Sequence, residues 1–188
     1  MFRAAILMLF FAAATSAGAE PVRFILQQEE SRVGFSWFFG KDEINGRMPV
    51  SRADIVIDFD RVENSRVSVA LDVARARAGF PFASQGMKSP KVLWAAKYPE
   101  IVFKSTRARR SGDGAEIEGN LTVRGVTKPV VLNALLFRQR GTVAGDRRRM
   151  SIFLTGSLSR SAFGASGWSD LAGDEVRLAV LARIRLEE

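Results

Sequence analysis

Apolar and polar residues alternate with a period of two along most of this chain. Val33, Phe35 and Trp37 alternate with Gly34 and Ser36, and Ala53, Ile55, Ile57 and Phe59 with Asp54, Val56, Asp58 and Asp60. Val67, Val69, Leu71 and Val73 follow the same rule, as do Ile101 and Phe103, then Ile117, Gly119, Leu121 and Val123. Near the end, Val176, Leu178, Val180, Ala182, Ile184 and Leu186 have the opposite parity to Arg177, Arg183 and Arg185. Strands with one apolar and one polar face belong to antiparallel sheets, in which one side is buried and the other wet. The pattern predicts about eight to ten strands, with no repeat of fixed period.

The stretch "LTVRGVTKPVVL", residues 121–132, has the form of a β-hairpin. Alternation through Leu121 and Val123 is interrupted from Gly125 to Pro129, and an apolar run resumes at Val130. The second arm, "VVLNALLF", is apolar at both parities, so two faces need cover. Gly112-Asp113-Gly114 and Gly141 to Arg147 are the other hairpin-like breakers. One segment departs from period two. "SQGMKSPKVLWAAK", residues 84–97, predicts a short helix from Ser89 to Ala96 with Pro90 at its first position, ended by Tyr98-Pro99.

Many short antiparallel strands around one helix predict a closed barrel or a sandwich. A sandwich fills its core from two facing sheets, whereas a barrel of about eight strands packs solid or holds one small ligand. The inward positions mix large residues, Phe35 and Trp37, with small ones, Gly119, Gly156 and Ala182. Periodicity is compatible with an interdigitated core and with a hollow one.

Composition narrows the chemistry. The 188 residues suffice for one domain with a substantial core. With no Cys and no His, disulfides, thiol chemistry, Cys- or His-ligated zinc and a His general base are all excluded. The first nineteen residues read as a secretory signal peptide: Arg3, an apolar run from Ala4 to Ala14, and Ala17-Gly18-Ala19 as a small-x-small cleavage site. That run falls short of the roughly 20 residues a membrane-spanning helix needs. The mature protein, residues 20–188, is therefore expected to be exported, and periplasmic in a Gram-negative source.

Five ordered blocks carry a resemblance: "SRVGFSWFFGKDEINGRM" (31–48), "MKSPKVLWAAKYPEIVFKST" (87–106), "GNLTVRGVTKPVVL" (119–132), "LSRSAFG" (158–164) and "GDEVRLAVLARI" (173–184). Together they resemble the YceI-like family over about residues 22–186. The resemblance implies an all-β fold, an extended eight-stranded antiparallel barrel that is lipocalin-like, with one short inserted helix. It implies no catalytic residues and no metal site. It implies instead an apolar tunnel for a long-chain lipid: a polyisoprenoid, an isoprenoid quinone or a fatty-acid derivative. The residues expected to line it are Val33, Phe35, Trp37, Ile55, Ile57, Val69, Leu71, Met87, Leu93, Phe103, Leu121, Leu132, Leu154, Phe163 and Val180. The hairpin's inward parity would face this tunnel, and its outward apolar residues would lie under the helix or in a subunit contact.

Three positions differ from the family's usual pattern. Phe38-Phe39-Gly40 stands where His-Leu-Gly is usual, Ala83-Ser84-Gln85-Gly86 where Arg-Asp-x-His is usual, and Ala162 in place of an Asp. Polar groups expected near the tunnel mouth are thus replaced by apolar or neutral ones, which bears on the head group more than on the chain.

The formal net charge of +8 has a place in this picture. Arg107, Arg109, Arg110 and Arg147 to Arg149 fall in or beside expected turns, where they could meet an anionic membrane surface transiently. Nucleic-acid binding is not expected, because the aromatic residues share the apolar parity and do not interleave with the basic ones. Two functions remain open: a lipid carrier or sequestering protein, which could be a homodimer, and a filled-core interaction module acting through its basic surface.

Overall fold

The alternating segments become antiparallel strands in a computed structural model that describes residues 21–188. The strands are β1 (Val22–Leu26), β2 (Arg32–Phe39), β3 (Asp42–Met48), β4 (Val50–Ile57), β5 (Arg66–Asp72) and β6 (Arg77–Ala78). After the helix α1 (Pro81–Lys88) come β7 (Glu100–Ser111), β8 (Gly114–Val123), β9 (Val126–Arg138), β10 (Arg149–Ser159) and β11 (Glu175–Leu186). From β1 the pairing runs through β4, β5, β7, β8, β9, β10 and β11, and β11 returns to β1. This closes an eight-stranded antiparallel barrel in which every one of the eight strands has a neighbour on both sides.

Three of the eight strands are split. β2 continues β1 along β11, β3 continues β4 along β2, and β6 extends β5 along β3. The breaks have local causes. Pro49, which has no N–H to donate, separates β3 from β4. Between β1 and β2, Ser31 donates its hydroxyl to Gln27 O at 2.7 Å and accepts the Arg183 N–H at 3.0 Å, joining the bend to β11.

The hairpin at residues 121–132 forms, with a tighter turn than its sequence suggests. Only Arg124 and Gly125 lie outside the strands, and both take positive φ, 53° and 76°. Two such residues match the right-handed twist of the flanking strands. Val126 to Pro129 therefore belong to β9, where Pro129 pairs with Asn120. β10 pairs with β9 only from Asn133 onward, so Pro129 sits where one edge of its strand is free.

The helix lies eight residues upstream of its expected place. Pro81, not Pro90, occupies its first turn, and Ser89 is its C-cap, with residues 89–98 forming a string of turns. Phe80 at the N-cap makes no side-chain cap bond, so the usual sequence marker of a helix start is missing. Burial of Met87 and close packing of Trp168 on Gly86 hold the helix at one end of the barrel. It does not cover β9, whose outward Val131, Leu135 and Phe137 are exposed near Phe153.

The opposite end is closed by packing. Phe24, Ile55, Ile57, Met150 and Ile184 form a buried cluster there, with Ile184 wholly enclosed and Phe59 edge-on to Phe24 at 5.7 Å. Asp58, also enclosed, fastens the adjoining turn by accepting the N–H groups of Asp60 and Arg61 and the Asn64 amide. The basic clusters lie at this closed end and are largely engaged: Arg109 with Glu116, Arg110 on the Phe59 carbonyl, Arg147 with Asp60, and Arg148 with Asp146.

Candidate ligand-binding cavity

Between the closed end and the helix, the inward side chains surround a cavity of about 450 Å³. That is far above the ~10–15 Å³ that admits one water and falls within the roughly 300–1,000 Å³ of small-molecule sites. Glycines set part of its shape. A methyl at Gly46 would meet the Phe35 ring at 2.4 Å, and one at Gly119 the Phe103 ring at 2.4 Å. The two rings lie flat against the strands only because no side chain stands there, which leaves the middle of the barrel open.

All the residues expected to line the interior do so, except Ile57. Val33, Phe35 and Trp37 come from β2, Ile55 from β4, Val69 and Leu71 from β5, Phe103 from β7 and Leu121 from β8. Leu132, Leu154 and Val180 come from β9, β10 and β11, and Met87, Leu93 and Phe163 from the end that carries the helix. Ile57 shares the inward parity but lies one position too near the closed end, where it packs into the Phe24 and Ile184 cluster. Period two assigns a face; it does not assign a depth along the barrel.

The wall offers little polarity: Ser31 is engaged as described, Arg160 is the one charged side chain of the lining, and Trp37 and Trp168 add only their indole N–H groups. Arg160 is 8% exposed and spends its guanidinium on backbone carbonyls: Nε to Gly173 at 2.8 Å, Nη1 to Gly167 at 2.8 Å and to Ala165, and Nη2 to Ala172 at 2.7 Å. It thereby fixes the loop of residues 165–173. Asp174, beside it, is held below the usual carboxylate range mainly by the hydroxyls of Ser159 and Ser161.

A second arginine fastens the other half of this end. Arg124, at its left-handed turn position, donates to Pro90 O at 2.8 Å and to Val92 O, while Tyr98 packs on Gly125. This holds the turns of 89–98 so that Leu93 points into the cavity. Neither arginine was identifiable as a site residue by alternation, because a guanidinium bound to carbonyls has no partner residue type for a sequence pattern to reveal. Phe80, Phe82 and Trp168 were missed for a related reason: they lie outside the strands.

The chain is thus a closed antiparallel barrel with an end-opening, apolar, small-molecule cavity. Comparison with known proteins places it in a family. The YceI-like domain matches residues 24–184, and the chain belongs to that family. Protein YceI of Salmonella arizonae is 32% identical over 120 residues, covering 62% of this chain and 58% of that protein, so the match spans little more than half the relative's length. Among solved structures, Burkholderia cenocepacia BcnA superposes with a TM-score of 0.75 at 19% identity, covering 85% of this chain and 99% of BcnA. A polyisoprenoid-binding domain from Saccharophagus degradans gives a TM-score of 0.61 at 11% identity, covering 88% and 99% of the two chains. These similarities establish the fold.

Proposed function

We propose that the protein binds a long-chain apolar lipid, such as a polyisoprenoid, an isoprenoid quinone or a fatty-acid derivative, inside the barrel, for transport, storage or sequestration. The observation that carries this reading is the cavity wall, aliphatic and aromatic throughout, with its only cation saturated by four carbonyls. Such a wall rewards methylene groups and nothing else. About ten buried methylenes contribute roughly 8 kcal/mol, equivalent to a micromolar Kd before the ordering costs of the chain. A polar head group would gain only about 1 kcal/mol net per neutral hydrogen bond, and the wall offers it little beyond the indole N–H groups of Trp37 and Trp168.

The polyisoprenoid-binding domain named above is a fold relative, and its ligand supports the same class here. The leader-like first nineteen residues support an exported, periplasmic protein; they lie outside the described residues. The cavity also weighs against a filled-core interaction module. Organic extraction of the purified protein followed by mass spectrometry tests the reading, with a stoichiometric long-chain lipid expected. Absence of any such lipid, together with no uptake of an apolar fluorescent probe, would refute it.

A further inference from the structure

One end of the cavity is rimmed by large apolar side chains that water reaches. Phe38 and Phe39 end β2, Phe80 and Phe82 begin α1, and Trp168 and Leu171 lie on the loop fixed by Arg160. Phe82 is 82% exposed, Leu171 55% and Trp168 44%. Burying such side chains is the dominant favourable term in folding, so six of them exposed together in one place calls for a reason.

They form one surface. Gly40 N donates to Leu171 O at 2.7 Å and Gly173 N to Phe38 O at 2.8 Å, which ties the end of β2 to the 165–173 loop. Trp168 packs against Gly86, and Phe82 lies one helical turn before Gly86 on the same face. Phe39, Phe80, Phe82 and Trp168 are at once exposed and part of the cavity wall. They therefore mark the mouth, and the apolar surface runs unbroken from the interior onto the rim.

We infer that this rim docks on a lipid bilayer, with Phe82, Trp168 and Leu171 inserted into the interfacial region and the mouth opening toward the hydrocarbon. The inference rests on the cavity's holding a long-chain lipid. A chain leaving the barrel emerges over Phe82 and Trp168; in water each methylene would be exposed in turn, whereas against a bilayer it passes from one apolar phase to the next. Aromatic side chains, Trp above all, are suited to the head-group level. The segments that carry or adjoin the rim bear Lys41, Lys88 and Lys91 alongside Asp42, Glu43 and Asp170, so local charge cancels and apolar insertion carries the contact. A second copy seated on the same rim would press two mouths together and shut both.

Because the chain has no cysteine, a single one can be introduced and labelled uniquely. An environment-sensitive nitrobenzoxadiazole label on Phe82→Cys should shift to the blue on adding phosphatidylcholine vesicles, and the gain from including phosphatidylglycerol should be small. The same label on Leu135→Cys, on the exposed outer face of β9, should not respond. The double variant Phe38→Ser, Leu171→Ser, at two exposed rim positions outside the cavity wall, should lose about tenfold in vesicle partitioning while still taking up N-phenyl-1-naphthylamine in vesicle-free solution. A silent label at 82, a response at 135 instead, undiminished partitioning of the double variant, or self-association in place of vesicle binding would each overturn the inference. The two readings fail separately: a vesicle response of the label at 82, with no naphthylamine uptake by wild-type protein, refutes the lipid cavity and leaves the docking standing.

Discussion

Replacing Arg160 by Met removes a guanidinium but keeps a side chain of similar reach. The four carbonyls of Ala165, Gly167, Ala172 and Gly173 then lose their donor. If the loop kept its place, the orphaned buried carbonyls of Ala165 and Ala172 would cost about 1–3 kcal/mol each, roughly 2–6 kcal/mol together, and the part-buried ones of Gly167 and Gly173 less. That is a large share of the ~5–15 kcal/mol stability of a whole domain. The chain has a cheaper response, which is to release the loop and let water solvate the carbonyls. Release forfeits the burial of Ala165 and Ala172 and the packing of Trp168 on Gly86. We expect a net loss of about 3 kcal/mol, and at about 2–4 °C per kcal/mol for a chain of this size the Tm should fall by about 6–12 °C. Arg160→Lys should be intermediate, because an ammonium has three donors and no planar fork. Thermal unfolding reads the first effect. Hydrogen exchange followed by mass spectrometry reads the second, with protection lost in the peptide spanning 160–174 and retained in β7 to β9. An Arg160→Met protein with an unchanged Tm and an unchanged exchange pattern would refute the role assigned to this residue.

Further expectations concern the wall, the hairpin and the closed end. Leu121→Arg places an unpaired charge against the apolar cavity wall, so a folded variant should lose uptake of an apolar fluorescent probe; undiminished uptake would exclude a ligand at that position. Gly125→Ala combines a φ of 76° with a Cβ only 3.0 Å from the Tyr98 ring, and denaturant unfolding should show a loss of about 1–2 kcal/mol. Asp146 is held at about 2 by the Arg148 side chain and by its backbone N–H. Its folded value lies below the unfolded one, so the stability it contributes is present above about pH 4 and is lost as pH falls toward 2; Asp146→Asn should flatten that limb of the acid unfolding curve. Asp58, lowered chiefly by the Arg61 backbone N–H, acts in the same direction.

Alternation is a property of single residues and their nearest neighbours, which is why it was legible so early. Once one face of a strand must be apolar, Phe35, Leu121 and Val180 can point only one way. The Arg124-Gly125 turn was legible as a break and misread in length, since the positive φ of a non-glycine residue depends on what its side chain finds elsewhere. For Arg124 that is the carbonyls of Pro90 and Val92, more than thirty residues back along the chain.

The helix shows the limit of local signals. Ser89-Pro90 and Phe80-Pro81 both offer a proline for a first turn, and the better cap lies at the position that was not used. Contacts distant in sequence decided between them: Met87 had a cluster of Met48, Val73 and Ala76 to join, and Gly86 had the Trp168 ring to receive. Depth along the barrel was likewise invisible. Leu132 and Ile57 have the same alternation, yet Leu132 faces open volume and Ile57 meets Phe24 and Ile184.

The arm "VVLNALLF" unites the two kinds of information. Its double apolar character was plain from the residues alone. That Leu132 faces the cavity while Leu135 and Phe137 face water follows only from closure of the barrel and from a helix that packs at its end. The physical reason is range: a side chain's parity is set within two residues, whereas the presence of a cavity or of a covering element depends on how eight strands meet around a common axis.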